Sequence, residues 1–214
     1  MLHSVMRALF YPSPGIDIGA QEAADYEAWL GEGLTLDKLY ALPYDPLRML
    51  RYLATGERYL FHGSNNREIA RFEPRKQTLY NGKPVHAVFA SAEPLWSVFY
   101  AVFDRRKLEG SFRNGCLAYG TQRYHYYSLN QATMRAEPWT SGALYVLPRE
   151  RFRRASSSKL RFDEWICEEP VEPLLRVEVQ PQHFVFRDRV AVHGDHEPVW
   201  QTWLRYKSRT AVAR

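Results

Sequence analysis

Arg58–Tyr59–Leu60–Phe61–His62–Gly63–Ser64–Asn65–Asn66 is the stretch on which the fold reading turns. Its aromatic, β-favouring first half runs into a polar turn, which predicts a strand ending at His62. N-terminal to it the texture is helical. Gln21–Leu30 carries Ala23, Ala24, Tyr26 and Trp29 and stops at Gly31 and Gly33. Thr35–Tyr40 and Pro46–Leu53 place leucines at helical intervals, with Pro43 and Pro46 separating the pair. C-terminal to it, short strands are expected at Val85–Ser91, Cys116–Tyr119, Arg123–Ser128, Ala143–Leu147, Phe162–Cys167, Leu174–Val179 and His183–Arg187. Glu93–Phe103, with Leu95, Val98, Phe99 and Val102, reads as a helix. Arg149–Arg154 reads as a basic helical turn and Ser156–Lys159 as a loop. The fold class expected is α+β with mostly antiparallel sheets. Residues 1–57 form a helical segment, 58–190 a core, and 191–214 a C-terminal helix with a basic tail.

Composition narrows the classes. The chain has 214 residues, 14% of them aromatic, and a net charge of +5. That length suits one domain, and six Trp with eleven Phe exclude a disordered chain. No apolar run reaches the ~18 residues of a membrane span, and no secretory leader is read at Met1–Phe10. Cys116 and Cys167 are too few and too far apart to staple the fold or hold a metal, so a reducing, cytoplasmic location is expected, with no metal site. The 29 basic residues divide into 23 Arg and 6 Lys. Such a balance permits an anionic partner, because guanidinium forks match phosphate, but GC-rich coding produces it as well.

Three places invite chemistry. His62 stands at a strand end before Gly63, which lets a ligand approach the backbone, and Ser64. A turn-capping histidine is the plain alternative. Alternation through Phe162–Cys167 puts Phe162, Glu164 and Ile166 on one face, and a carboxylate there is costly unless paired or used. An edge glutamate facing water, beside Asp163, Glu168 and Glu169, is the competing reading. Ser97 and Tyr100 share one face of their helix, which by itself is a core helix with a polar rim. Among the other histidines, His125 belongs to an aromatic strand with Tyr124, Tyr126 and Tyr127. His193 and His196, beside Asp195 and Glu197, read as a turn.

Taken in order, Leu60–Phe61–His62–Gly63–Ser64, Val88–Phe89–Ala90–Ser91, Ser97–x–x–Tyr100–Ala101, Gly142–Pro148, Phe162–Asp163–Glu164–Trp165–Ile166 and Pro173–Val179 resemble the ADP-ribosyltransferase superfamily. The similar branch carries a His, Tyr, Glu signature and includes diphtheria-type toxins and poly(ADP-ribose) polymerases. The resemblance covers roughly residues 58–187. It implies split antiparallel sheets around an NAD cleft, NAD as co-substrate, and transfer of ADP-ribose to a macromolecule with release of nicotinamide. His62 would bond the adenosine ribose, Gly63 backbone and Ser97 hydroxyl the nicotinamide carboxamide, and Tyr100 the nicotinamide face. Ser64 and Phe89 join the NAD-binding set, and Glu164 would hold the ribose 2′-hydroxyl and stabilise the charge that builds as the glycosidic bond breaks.

Two departures stand out. The strand position that normally carries a second tyrosine is Val88, so that ring is missing or is supplied by Phe89, Tyr80 or another aromatic. The position two before the glutamate is Phe162, where arginine-modifying members have a glutamate. A bacterial or phage toxin or effector is the role expected, acting as a monomer without a membrane, on nucleic acid before protein. Residues 1–57 would cover the cleft, bind the acceptor or dock an antitoxin. An RNA 2′-phosphotransferase lacks the strand glutamate, and a non-catalytic binding module of the same fold would be consistent with Val88.

Overall fold

The computed structural model describes residues 1–211. Arg214, counted in the basic tail, lies outside the described residues. The chain runs α1 (Leu2–Leu9), β1 (Tyr11–Pro12), α2 (Ala20–Gly31), α3 (Leu36–Ala41), α4 (Pro46–Leu53), β2 (Tyr59–Ser64), β3 (Arg75–Thr78), β4 (Pro84–Ala90) and α5 (Pro94–Val102). It continues through β5 (Phe112–Tyr119), β6 (Gln122–Asn130), α6 (Gln131–Arg135), β7 (Gly142–Pro148), β8 (Arg153–Arg154), β9 (Leu160–Phe162) and β10 (Trp165–Cys167). It ends with β11 (Leu175–Val179), β12 (Val190–His193) and α7 (Val199–Ala211). The class is α+β, with one parallel pair, β12 on β6, among antiparallel ones. No described helix is long and apolar enough to cross a membrane.

Three sheets organise the molecule. β11–β7–β2 is central, β3–β4–β10–β8 lies beside it, and β1–β6–β5–β9 forms the third. β5 takes one edge of β6, while β1 and β12 share the other, at Tyr124–His125 and Tyr127–Asn130. A bridge between Phe61 and Ser91 links β2 to the end of β4. α5 is apolar almost all round and correspondingly buried. Asp45 and Glu93 cap α4 and α5 by accepting from the N–H groups of Leu47 and Leu95, each ahead of a proline suited to the first helical turn. Two glycines let α5 lie directly on the central sheet. A Cβ at Gly63 would meet the Ser97 carbonyl at 1.8 Å, and one at Gly142 the Ala101 carbonyl at 2.0 Å. The N-terminal helices share this core: Tyr26, Trp29, Leu39, Met49, Leu50 and Leu53 bury against α5 and the central sheet.

Several sequence expectations are corrected. Phe162–Cys167 is not one strand. It breaks at Asp163–Glu164, where the chain leaves β9 in one sheet and enters β10 in another. His183–Arg187 is not a strand but sits among 3-10 turns, because the buried Phe184 and Phe186 mimic alternation while anchoring a loop. Arg149–Arg154 is a 3-10 turn followed by β8. Residues after 190 contribute a strand as well as a helix. β3, fully exposed, was not anticipated.

Candidate functional site

A cavity of about 590 Å³ opens between β2, β3, β4 and α5. Its volume is in the ~300–1,000 Å³ range of small-molecule sites. His62, Gly63, Ser64, Phe89, Ser97, Tyr100 and Glu164 all line it, although they come from four separate segments of the chain.

His62 is half-buried. Its Nδ1 is 2.6 Å from the carbonyl oxygen of Phe89, and because a carbonyl only accepts, Nδ1 carries the proton. Burial lowers its pKa, so the ring is neutral and Nε2 remains an acceptor. Phe72 packs against the imidazole at 4.7 Å between centroids, fixing its plane.

Gly63 and Ser97 serve the fold first. The missing Cβ of Gly63 faces α5 and not the cavity. The Ser97 hydroxyl donates to the Phe61 carbonyl at 3.0 Å, so only its lone pairs are left for a ligand. Ser64 accepts from the Asn66 N–H at 3.1 Å, which shapes the turn at the end of β2. Val88 is 3% exposed and packs in the core between the central sheet and its neighbour while also bordering the cavity, and Phe89 is half-buried on the cavity wall.

Tyr100 donates its hydroxyl to Asn114 Oδ1 at 2.9 Å, and Trp96 Nε1 donates to the same oxygen at 2.7 Å. Burial pushes the Tyr100 phenol up to about 12, so it stays a donor. The Arg105 guanidinium stands 5.5 Å from the Tyr100 centroid and 5.6 Å from that of Phe112. Arg105 thus covers part of Tyr100, which also lines the cavity.

Glu164 occupies the break between β9 and β10. Its neighbour Asp163 is buried and anchored: Arg123 lies 3.3 Å away, Ser91 Oγ donates at 3.0 Å and Trp165 Nε1 at 3.3 Å. The Asp163 N–H also donates to the Cys116 carbonyl at 2.8 Å. Asp163 thus faces the interior and does not make a solvated acidic edge with Glu168 and Glu169. With Asp163 fixed inward, Glu164 reaches the cavity, where its Oε2 accepts from the Tyr80 N–H at 3.2 Å. Partial burial raises the Glu164 pKa, the Tyr80 bond opposing this.

Arg105, Asn114, Phe72, Arg71 and Arg75 were not legible as site residues, since none carries a local motif. Arg149, Arg151 and Arg153 are committed to Glu57, Glu169 and Glu168. His125 is fully buried between Ser13 and Tyr127, and His193 sits between Ser111 and Ser128. No family model, no curated protein and no solved structure matches this chain.

Proposed function

We propose that the chain is an NAD-dependent ADP-ribosyltransferase with an ADP-ribosyltransferase-like arrangement of its sheets. The observation that supports this reading best is the convergence of His62, Tyr100 and Glu164 on one cavity. The residues fit the co-substrate. Half-buried aromatics offer faces to two heterocycles, and Arg75 and Arg105 line the wall as cations for a pyrophosphate, Arg71 there being paired with Glu73.

In this reading neutral His62 accepts a ribose hydroxyl at Nε2, its orientation held by the Phe89 carbonyl. Tyr100 takes the nicotinamide ring, and the Ser97 lone pairs accept from the carboxamide. Glu164 accepts the 2′-hydroxyl of the nicotinamide ribose, and its ionised form stabilises positive charge building on that sugar. The glycosidic C–N bond breaks with its electron pair leaving on nicotinamide. An acceptor nucleophile bonds to the anomeric carbon, and its proton passes to the Glu164 carboxylate.

Val88, an aliphatic side chain at the cavity where the family resemblance expects a second tyrosine, favours a second reading in which the cleft binds a nucleotide without turning it over. Chromatographic assay of nicotinamide released from NAD separates the two. Transfer predicts release by the wild type, reduced at least a hundredfold in Glu164→Ala and strongly in His62→Ala. Binding of NAD without release supports the non-catalytic reading.

A further inference from the structure

Two features near Glu164 in the chain or in space lie outside the lining of the cavity. The first is aromatic. Tyr80, at the tip between β3 and β4, is 42% exposed, and its ring stacks on Phe162 at 5.2 Å and 26°. Its own N–H touches the Glu164 carboxylate, so the stacked pair adjoins the reacting group.

The second is a set of cations outside close ion pairs. Arg151 and Arg153 are each paired with a carboxylate. By contrast Arg154, opposite Trp165, and Arg161, next to Phe162, have no carboxylate at ion-pair distance among the described residues. Arg154 rests on the Trp165 ring at 4.9 Å, and Arg161 donates only to the Ser158 carbonyl. Arg161 is pulled down by burial first, then by the fields of Arg154 and Arg123, with Asp163 opposing. The exposed Lys159 and the serines of the Ser156–Ser158 loop join them. Cations without ion pairs, Arg161 among them on the edge strand that also carries the stacked Phe162, suit an anion that also carries a ring.

On the transferase reading above, we infer that the acceptor is a single-stranded nucleic acid, one unpaired base stacking on Tyr80 while Arg154, Arg161 and Lys159 hold the flanking phosphates. A base on Tyr80 brings its ring nitrogen or amino group beside Glu164. That nitrogen bonds to the anomeric carbon, the electron pair departs with nicotinamide, and the nitrogen's proton goes to the Glu164 carboxylate. An unpaired base is required because a duplex buries the faces that stacking uses.

The test is fluorescence anisotropy of a labelled mixed-sequence 12-mer on the full chain, without NAD, over a series of salt concentrations. The same 12-mer as a duplex and a glutamate-rich peptide serve as competitors. The single strand binds with an affinity that falls as salt rises. Tyr80→Ala weakens it about tenfold or more and Tyr80→Phe restores it. Arg154→Ala with Arg161→Ala flattens the logarithmic salt dependence by ~1.4, two phosphates at ~0.7 each. Duplex binding as tight as the single strand, or peptide binding in its place, overturns the proposal. Nicotinamide release is read separately. Release without strand binding overturns this acceptor and keeps the transferase, whereas strand binding without release overturns the transferase reading on which this acceptor depends.

Discussion

The Cβ that Gly63 lacks would fall 1.8 Å from the carbonyl oxygen of Ser97. The two residues that the family resemblance sends to the nicotinamide carboxamide are thus first a packing joint between β2 and α5. Gly63→Ala has no flexible neighbour to displace, since the Ala101 N–H is a further 2.8 Å obstacle. We expect it to cost ~3 kcal/mol or more in urea unfolding, the upper range for overpacking. Gly31→Ala, with nothing within 4 Å of its Cβ, is the neutral control.

Glu164 is expected to separate stability from activity. Its raised pKa means that the folded state holds the proton more tightly than the unfolded chain does. Folding stability therefore falls as pH rises from the unfolded value near ~4.3 to the folded one, and the deficit persists above it. Glu164→Gln removes that deficit and keeps an acceptor for the Tyr80 N–H. At pH 7 it should be at least as stable as the wild type, with the difference vanishing below about pH 4. Its nicotinamide release should drop ~10²–10³-fold. In the wild type, release should rise with pH through an inflection above 4.5, as the carboxylate ionises.

Asp163 predicts the reverse. Removing it leaves the mostly buried Arg123 unpaired and strips Ser91 and Trp165 of their acceptor. Asp163→Ala should cost ~3–5 kcal/mol by chemical denaturation, as when one partner of a buried ion pair is deleted. Glu169→Ala, losing only an exposed pair with Arg151, should stay within about 0.5 kcal/mol of wild type.

The outline of the site was readable because each residue sits in a local pattern: a strand running into His–Gly–Ser, an apolar helix with Ser97 and Tyr100 three apart, a glutamate in an aromatic run. The sheet change at Asp163–Glu164 was not. Strict alternation looks the same in one strand and in two short strands joined by an anchored carboxylate, and the anchors that mark the difference include Arg123 and Ser91, forty and seventy-two residues away in sequence. Arg75–Lys76–Gln77–Thr78 gave no strand signal because β3 is an exposed edge with no buried face. Arg105 was invisible for the same reason as Asn114: a contact with Tyr100 is a property of the fold and not of the neighbouring residues.

Two interior histidines supply a further check. Burial, with Arg123 adding to it, depresses His125 to about 3, and burial depresses His193 to about 4. The unfolded chain takes up these protons near pH 6.5 while the folded one refuses them, so each histidine subtracts stability as pH falls, at up to ~1.4 kcal/mol per unit. Glu93 and Glu164, both raised, act in the opposite direction nearer pH 4.5. Nuclear magnetic resonance of the imidazole carbons should show neither His125 nor His193 titrating above pH 5.

On the proposed transferase reading, Glu164 drives transfer of ADP-ribose out of this cavity. Mass spectrometry of single-stranded nucleic acid and protein incubated with the full chain and NAD tests it most directly, with free nicotinamide measured in the same sample. An ADP-ribose adduct accompanied by equimolar nicotinamide is expected in the wild type, and neither above background in Glu164→Ala. Absence of both products with the wild type across these acceptors, or undiminished product in Glu164→Ala, would contradict it.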